Sequence, residues 1–512
     1  MCGCDWPPDA PPRPRLPAQP DHAGLPVAAN ALPASALADL RAAIGADHVL
    51  TGDALAGRDA DGWQVDRRGR YLGRAAAVLR PASTAEVAAV LRIAHAHRLP
   101  VVPQGGNTGL VGGSTPDGSG RELVLSLRRI DRIRAVDAAN LTLTLEAGCI
   151  LQTAQDIAAE QGLLLPLSLA AEGSCTIGGN LASNAGGVQV LRHGNARALC
   201  LGLEVVTPAG EVWDGLRGLR KDNTGYDLRD LYIGSEGTLG VITAAVLRLH
   251  PQPRSTATAL ARCASAEAAI ALLQAALAGS GGALAAFEVM NAASIALVGK
   301  HLPQAVPADL PGDLDASQAW TVLLESADAS DPDRAQATLE VVLAAAIDDG
   351  IVDTAWVAQS LSQSAAFWRL RESIPLAQAR DGLNIKHDIA LPTSRIPAFI
   401  SQADAAVQAL VPGARHIDFG HWGDGNLHYN VMAPEGVAPA DFLARWEGPI
   451  NTRIFDLLGS HGGTISAEHG IGRLKRDELA RRHDPVALAL MRRLKQALDP
   501  LGIMNPGRVL PM

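Results

Sequence analysis

The clearest order in the chain begins near residue 70, where short apolar runs alternate with longer stretches of helical period. AAAVLRP (75–81) reads as a buried strand closed by proline. Ser83 and Glu86 follow with the S-x-x-E spacing of a capping box and predict a helix that carries Val87, Val90, Leu91 and Ile93. That helix ends near Arg98, because LPVVP (99–103) is again strand-like. Further strands are predicted at 123–127 and 141–148, and LGLEVVTPAGEVW (201–213) reads as a hairpin turning at Pro208-Ala209-Gly210. GTLGVITAAVLRLHP (237–251) starts as a turn and continues as a strand.

Proline-rich HPQPRST (250–256) marks a domain boundary. Beyond it the pattern runs helix (264–279), strand (284–290), strand (321–326), helix (334–347), strand (350–358). This spacing predicts a sheet covered by helices on one face, and the chain after 440 reads as mostly helical. The fold class is α+β around a mixed sheet.

At 512 residues the chain is too long for one ordinary core. Its 47% hydrophobic and 19% charged residues fit a folded globular protein. A net charge of −9 with no basic block argues against nucleic acid as a partner. No apolar run reaches the ~18–20 residues that cross a bilayer. The N-terminal MCGCDWPPDAPPRPRLPAQP lacks the basic-then-apolar order of a secretory signal, and its prolines predict a flexible head. Six cysteines (Cys2, Cys4, Cys149, Cys175, Cys200, Cys263) form no CxxC and no disulfide framework, so a reducing cytoplasm is the expectation. Cys2 and Cys4 are read as plain residues of the leader rather than metal ligands.

Three glycine-rich segments stand out. QGGNTGLVGG (104–113) follows a strand and lets backbone N–H groups approach an anion without interference from Cβ. It is neither G-x-x-x-x-G-K-[ST] nor a G-x-G-x-x-G opening a helix. PLSLAAEGSCTIGGNLASNAGGVQVLRHG (166–194) mixes glycines with hydroxyl and amide side chains, which suits an extended polar ligand. RKDNTGYDLRDLYIGSEGTLGVIT (220–243) is the third. A large nucleotide cofactor explains all three together.

These segments, with the C-terminal LDPLGIMNPGRVL, resemble the FAD-binding flavoenzymes of the vanillyl-alcohol oxidase and p-cresol methylhydroxylase superfamily. Within it the resemblance is to the D-2-hydroxyacid dehydrogenase branch, and it extends from about residue 70 to 510. It implies an FAD-binding domain of two subdomains (41–255) after a proline-rich head (1–40). An α/β substrate or cap domain with an antiparallel sheet (256–440) follows, and then a C-terminal helical segment (441–512). It further implies that Pro103, Gly105, Gly106, Asn107, Thr108, Gly109, Gly112, Gly113 and Ser114 wrap the FAD pyrophosphate. Pro166, Gly173, Ser174, Thr176, Gly178, Gly179, Asn180, Ser183, Asn184 and Gly187 complete that wrap. Gly240, Val241 and Ile242 are expected along the adenosine, with Asn505 closing the site. Some superfamily members attach the flavin through a histidine in the first loop; QGGNTG has none, so a non-covalent flavin is expected.

HWGDGNLH (421–428) carries two histidines. If Asp424-Gly425 is a two-residue type I′ loop, His421 faces His428 directly, and Asn430 joins the same face. Glu468, in the turn TISAEHGIGRLKR, is a candidate third ligand in a two-histidine, one-carboxylate set with an open position. Such a set suits zinc or non-haem iron, and the residues alone leave open a turn histidine beside a structural carboxylate. The resemblance implies a divalent metal, with zinc first and manganese next. His469 then suits a general base that takes the substrate's hydroxyl proton while hydride leaves C2 for the flavin.

The resemblance also implies that Arg371 and Lys386 grip a distal carboxylate, with Asn430 a further substrate-binding candidate. Pro375 departs from the threonine usual there, and Trp422 is bulkier than the usual residue. The function implied is an FAD- and metal-dependent dehydrogenase of D-2-hydroxyglutarate, with D-lactate, D-malate or glycolate as alternatives. Its electron acceptor would be an electron-transfer flavoprotein, a quinone or a cytochrome, reached at the membrane periphery if need be, and a homodimer is left open. A non-catalytic FAD-binding subunit of a larger oxidase complex is the alternative of a different class. A flavin-free metal hydrolase fails on the glycine segments.

Overall fold

The structure is a computed structural model that describes residues 32–55, 62–307 and 319–511. Cys2, Cys4 and the head up to residue 31 lie outside the described residues. The head expected to run to residue 40 already gives way to a helix at Ala34–Ile44. The described residues form two compact units: those up to 185, 195–250 and from 469 on, and 186–194 with those between 251 and 468.

The first unit holds two sheets. β1 (Val49–Leu50), β2 (Ala75–Leu79), β3 (Val101–Gln104) and β4 (Glu122–Ser126) form the first, in the order β1-β2-β4-β3. β1 runs antiparallel to β2, while β4 is parallel to both its neighbours, so the sheet is mixed. The helix Thr84–His97 crosses between β2 and β3; the Ser83 hydroxyl accepts from the Glu86 N–H, and Arg98 closes the helix in a left-handed conformation. Its buried residues Val87, Val90 and Leu91 pack with Leu123, Leu125 and Val101.

β5 (Ile133–Asp137), β6 (Thr142–Glu146), β8 (Cys200–Val206), β9 (Val212–Gly215) and β10 (Val241–Arg248) form the second sheet; β7 (Leu163–Leu164) and β11 (His250–Pro251) are short outliers. The order β5-β6-β10-β8-β9 is antiparallel throughout. β8 and β9 are the predicted hairpin, with Gly210 at φ +80° in its turn. Leu143, Leu145, Leu203, Val205 and Leu247 make the second core of this unit with Leu151, Ile177 and Leu181.

The second unit is built on β12 (Ser255–Cys263), β13 (Leu284–Asn291), β14 (Trp320–Asp328), β15 (Thr354–Val357), β16 (Asn384–Ala390), β17 (Arg415–His421) and β18 (Asn426–Met432). They make one antiparallel sheet in the order β15-β12-β14-β13-β17-β18-β16. Helices cover both of its faces rather than one. Leu260, Met290, Leu323, Ile417 and Phe419 pack with the helices Ala292–His301, Leu361–Glu372 and Ile374–Asp381. Their strand neighbours Ala259, Val289 and Leu324 point the other way and are equally buried. A sheet apolar on both sides needs two covers, which is why LAAFEVM and TVLLES read as nearly continuous apolar runs.

Candidate active site

In the first unit, a cleft is lined by the first glycine loop, the 176–183 segment and residues 235–242. Its wall includes Pro103, Gly105, Gly106, Asn107, Thr108, Gly109, Gly113 and Ser114. Thr176, Gly178, Gly179, Asn180, Ser183, Gly240, Val241 and Ile242 continue it, and His469 stands on the same wall. Two glycines are needed for close approach: a Cβ on Gly105 would fall 2.2 Å from Thr176 Oγ1, and one on Gly106 2.1 Å from the Ser174 carbonyl oxygen.

The loop is held from behind. Arg128 donates to the carbonyls of Gly105 (3.2 Å) and Gly106 (3.0 Å). In trans peptides the N–H groups point opposite to those carbonyls, so Gly106 and Asn107 turn theirs away from Arg128. Asn107, itself left-handed at φ +55°, donates to the Val65 carbonyl at 2.8 Å and accepts from the Ser114 hydroxyl at 2.9 Å. Thr176 Oγ1 and Gln104 Oε1 are buried without a protein partner. A close-walled cleft with a rigid glycine loop and two such polar atoms fits the pyrophosphate and polar groups of a dinucleotide.

The other residues expected at the cofactor have protein contacts of their own. Asn505 donates to the Gly113 and Glu236 carbonyls at 2.9 and 2.8 Å, so it ties two walls of the cleft together. Gly112 sits against Tyr71, where a Cβ would come within 2.7 Å of the ring. Ser174 supplies backbone beneath Gly106. Asn184 accepts from the Arg197 N–H at 3.0 Å. Pro166 and Gly173 are not among the lining residues of the cleft. Gly187 belongs to the second unit, where its N–H donates to Glu468 Oε1 at 2.7 Å. Glu236, not anticipated from sequence, lines the cleft at φ +52° and accepts from the N–H groups of Ile471 (2.7 Å) and Gly472 (2.8 Å).

In the second unit, His421, His428 and Glu468 each offer a ligand atom within 4.8 Å of the others. The pairing differs from the type I′ expectation: the β17–β18 ladder sets Phe419, not His421, opposite His428. A I′ turn needs positive φ at both central residues, and only Gly425 has it, at +88°. Instead Asp424 N–H donates to the His421 carbonyl and Gly425 N–H to the Trp422 carbonyl, making a longer connection. Trp422 is fully buried there, its ring 5.0 Å from that of Trp320. A shift of two residues keeps the face, so His421 and His428 become diagonal neighbours with ring centroids 5.5 Å apart.

The histidines do not stand alone. Glu288, wholly buried, lies opposite His421 on β13 and takes its Nδ1 at 2.5 Å. Its other oxygen accepts from Arg371 Nε at 2.8 Å and Nη2 at 2.7 Å. Burial opposes ionisation of Glu288, yet His421 and Arg371 hold its pKa down at about 2. Burial likewise works against charge on His421, but Glu288 lifts it to about 9. With Nδ1 engaged, Nε2 is the nitrogen turned to Glu468, at 3.8 Å from Oε1. Asp388, opposite His428, accepts from the Glu468 N–H at 3.1 Å and from Asn426 Nδ2 at 3.1 Å. Two imidazoles and a carboxylate within reach of one point are a donor set that fits a divalent ion such as zinc.

Glu288 and Asp388 escaped sequence reasoning, although Glu288 is a lone carboxylate inside the apolar run LAAFEVM, the pattern of a buried charge with a partner. Lys386 is exposed and pairs with Asn430 across β16 and β18, while buried Asn430 donates to Gln378 Oε1 at 3.1 Å. Arg371 is 6% exposed, with most of its fork turned to Glu288 rather than to solvent. Pro375 falls in the first turn of the helix Ile374–Asp381, a position where proline costs no hydrogen bond.

The FAD binding domain matches residues 75–215, and the C-terminal domain of the FAD linked oxidases matches residues 252–509. A mitochondrial D-2-hydroxyglutarate dehydrogenase of Bos taurus is 40% identical over 440 residues, covering 86% of this chain and 77% of its own. The D-2-hydroxyglutarate dehydrogenase of Xanthomonas citri pv. viticola is 38% identical over 440 residues, covering 86% and 90%. Among solved structures, p-cresol methylhydroxylase with substrate bound shares the fold at a TM-score of 0.72 and 16% identity, over 93% of this chain and 96% of its own. The chain belongs to the FAD-linked oxidases, in the D-2-hydroxyacid dehydrogenase branch, and is an FAD-dependent oxidoreductase.

Proposed function

We propose that the protein oxidises D-2-hydroxyglutarate to the 2-oxoacid, with non-covalent FAD and a divalent metal, zinc first, held by His421, His428 and Glu468. The observation that carries this reading is the cluster of those three side chains in a chain 40% identical to a D-2-hydroxyglutarate dehydrogenase. FAD supplies a two-electron acceptor, and the metal supplies a positive charge that favours the alkoxide form of the substrate. The substrate loses a proton from its hydroxyl and a hydride from C2.

An imidazole nitrogen of His469 takes the proton; His469 follows Glu468 directly in the chain and lines the glycine-loop cleft. Lys386, exposed on the strand beside His428, offers an ammonium to the distal carboxylate. Nη1 of Arg371 is the edge of that guanidinium not given to Glu288. With Pro375 supplying no hydroxyl, the distal grip rests chiefly on Lys386. D-Lactate is the second reading, favoured by a 34% identical relative in Schizosaccharomyces pombe named a putative D-lactate dehydrogenase. An electron-transfer flavoprotein, quinone or cytochrome in the cytoplasm or at a membrane surface is the proposed reoxidant. No helix among the described residues is long and apolar enough to cross a membrane.

Turnover of D-2-hydroxyglutarate, D-malate, D-lactate and glycolate with an artificial electron acceptor tests the assignment. D-2-Hydroxyglutarate is expected to give the highest kcat/KM. Preference for D-lactate would move the assignment to the second reading, and turnover of none would overturn both.

A further inference from the structure

We infer that Glu288 and Arg371 form the base of the metal site, and that Glu288 is the positioning residue that presents His421 Nε2 to the ion. The inference rests on the metal reading above and assigns work to two residues that are not themselves ligands.

The geometry is specific on three counts. Glu288 and His421 are direct cross-strand partners on β13 and β17, so their side chains share a face by register. Glu288 Oε1 meets Nδ1 and holds the proton there, which makes Nε2, turned toward Glu468, the nitrogen that would give up its proton to an ion. Glu288 Oε2 is meanwhile gripped by Nε and Nη2 of Arg371, so the carboxylate cannot rotate away. A histidine whose second nitrogen donates to a fixed carboxylate is both oriented and made more basic as a ligand.

Arg371 reaches the second histidine by another route. Its guanidinium lies 4.7 Å above the Phe419 ring, and Phe419 in turn meets the His428 ring at 4.9 Å. One arginine therefore braces His421 through Glu288 and His428 through Phe419. This explains why a guanidinium expected to face substrate is almost wholly buried.

The test measures metal affinity, independent of turnover. Flavin-loaded protein stripped of metal is titrated with Zn2+ against a chromophoric chelator, for wild type, Glu288→Gln, Glu288→Asp and Glu325→Gln. Glu325 is a half-buried carboxylate of the same sheet that accepts from Trp368 Nε1 at 2.8 Å, and it controls for a general loss of sheet structure. Because Glu288→Gln can leave Arg371 without its counter-charge and unfold the sheet, the double variant Glu288→Met/Arg371→Met removes the pair together. Glu288→Gln and the double variant are expected to lose about 10- to 100-fold in Zn2+ affinity. Glu288→Asp is expected to fall in between, and Glu325→Gln to match wild type. Unchanged affinity in a folded Glu288 variant, or an equal loss in Glu325→Gln, overturns the inference. If wild type takes up no Zn2+, the metal reading itself fails and this inference with it.

Discussion

Lys386 and His469 carry the proposed chemistry most directly, one by charge and the other by proton transfer. Removing the Lys386 charge in Lys386→Met should raise KM for D-2-hydroxyglutarate about 10- to 100-fold, the worth of a charge-assisted hydrogen bond, with far less effect on D-lactate. Steady-state kinetics on both substrates checks this, and equal losses would place Lys386 outside the substrate pocket. His469→Asn should slow flavin reduction about 10²- to 10⁴-fold while leaving the flavin bound. Stopped-flow reduction with a flavin content measured beforehand separates the two effects.

Asp381 shows how elements of the second unit are joined. It ends the helix Ile374–Asp381 and takes Lys300 Nζ at 2.7 Å, His301 Nε2 at 2.6 Å and Arg415 Nη2 at 2.8 Å. One carboxylate thus links that helix to the end of Ala292–His301 and to the start of β17. Burial pushes its pKa up, but the hydrogen bonds from Lys300, His301 and Arg415 and the Arg415 charge prevail and hold it well below the usual carboxylate range. A depressed folded pKa contributes stability that is present above the unfolded value, about 3.9, and is lost as pH falls through the folded one. Asp381→Asn should therefore cost roughly 1.5–3 kcal/mol at pH 7, with the gap in unfolding midpoint narrowing below about pH 4. Denaturant unfolding at pH 7 and below pH 4 measures it; a gap that does not depend on pH would contradict the assignment to charge.

At the scale of the molecule, the chain after residue 468 returns to the first unit. Val101 N–H donates to the Ile503 carbonyl and Asn505 N–H to the Val101 carbonyl, which extends the edge of the first sheet. Arg508 then buries its guanidinium against Glu122 and the Thr115 carbonyl. Breaking one side of such a pair leaves an uncompensated charge, so Arg508→Met should destabilise this unit by about 3–5 kcal/mol and lower its flavin content. Calorimetry of the flavin-loaded protein follows the loss.

Much of this plan was legible in the residues. Strand and helix periods placed β2, β3 and the helix between them, because local apolar spacing reports local structure. The glycine loop was legible because few other residues tolerate such close backbone contact. What escaped depended on long-range register: Glu288 gains its meaning only when β13 lies beside β17. The hairpin slipped by two residues because Trp422 packs inward against Trp320, a contact invisible in HWGDGNLH alone. Period-2 alternation nonetheless preserved the face, so both histidines stayed on one side despite the changed turn.

The proposed reaction is metal-assisted oxidation of a D-2-hydroxyacid by bound FAD. Anaerobic reduction of the flavin by D-2-hydroxyglutarate, followed by its absorbance, tests it most directly in three states: as purified, stripped of metal by a chelator, and reloaded with Zn2+. Rapid bleaching that disappears on stripping and returns with Zn2+ is the predicted result. Bleaching that survives complete metal removal, or none in any state, would contradict the account.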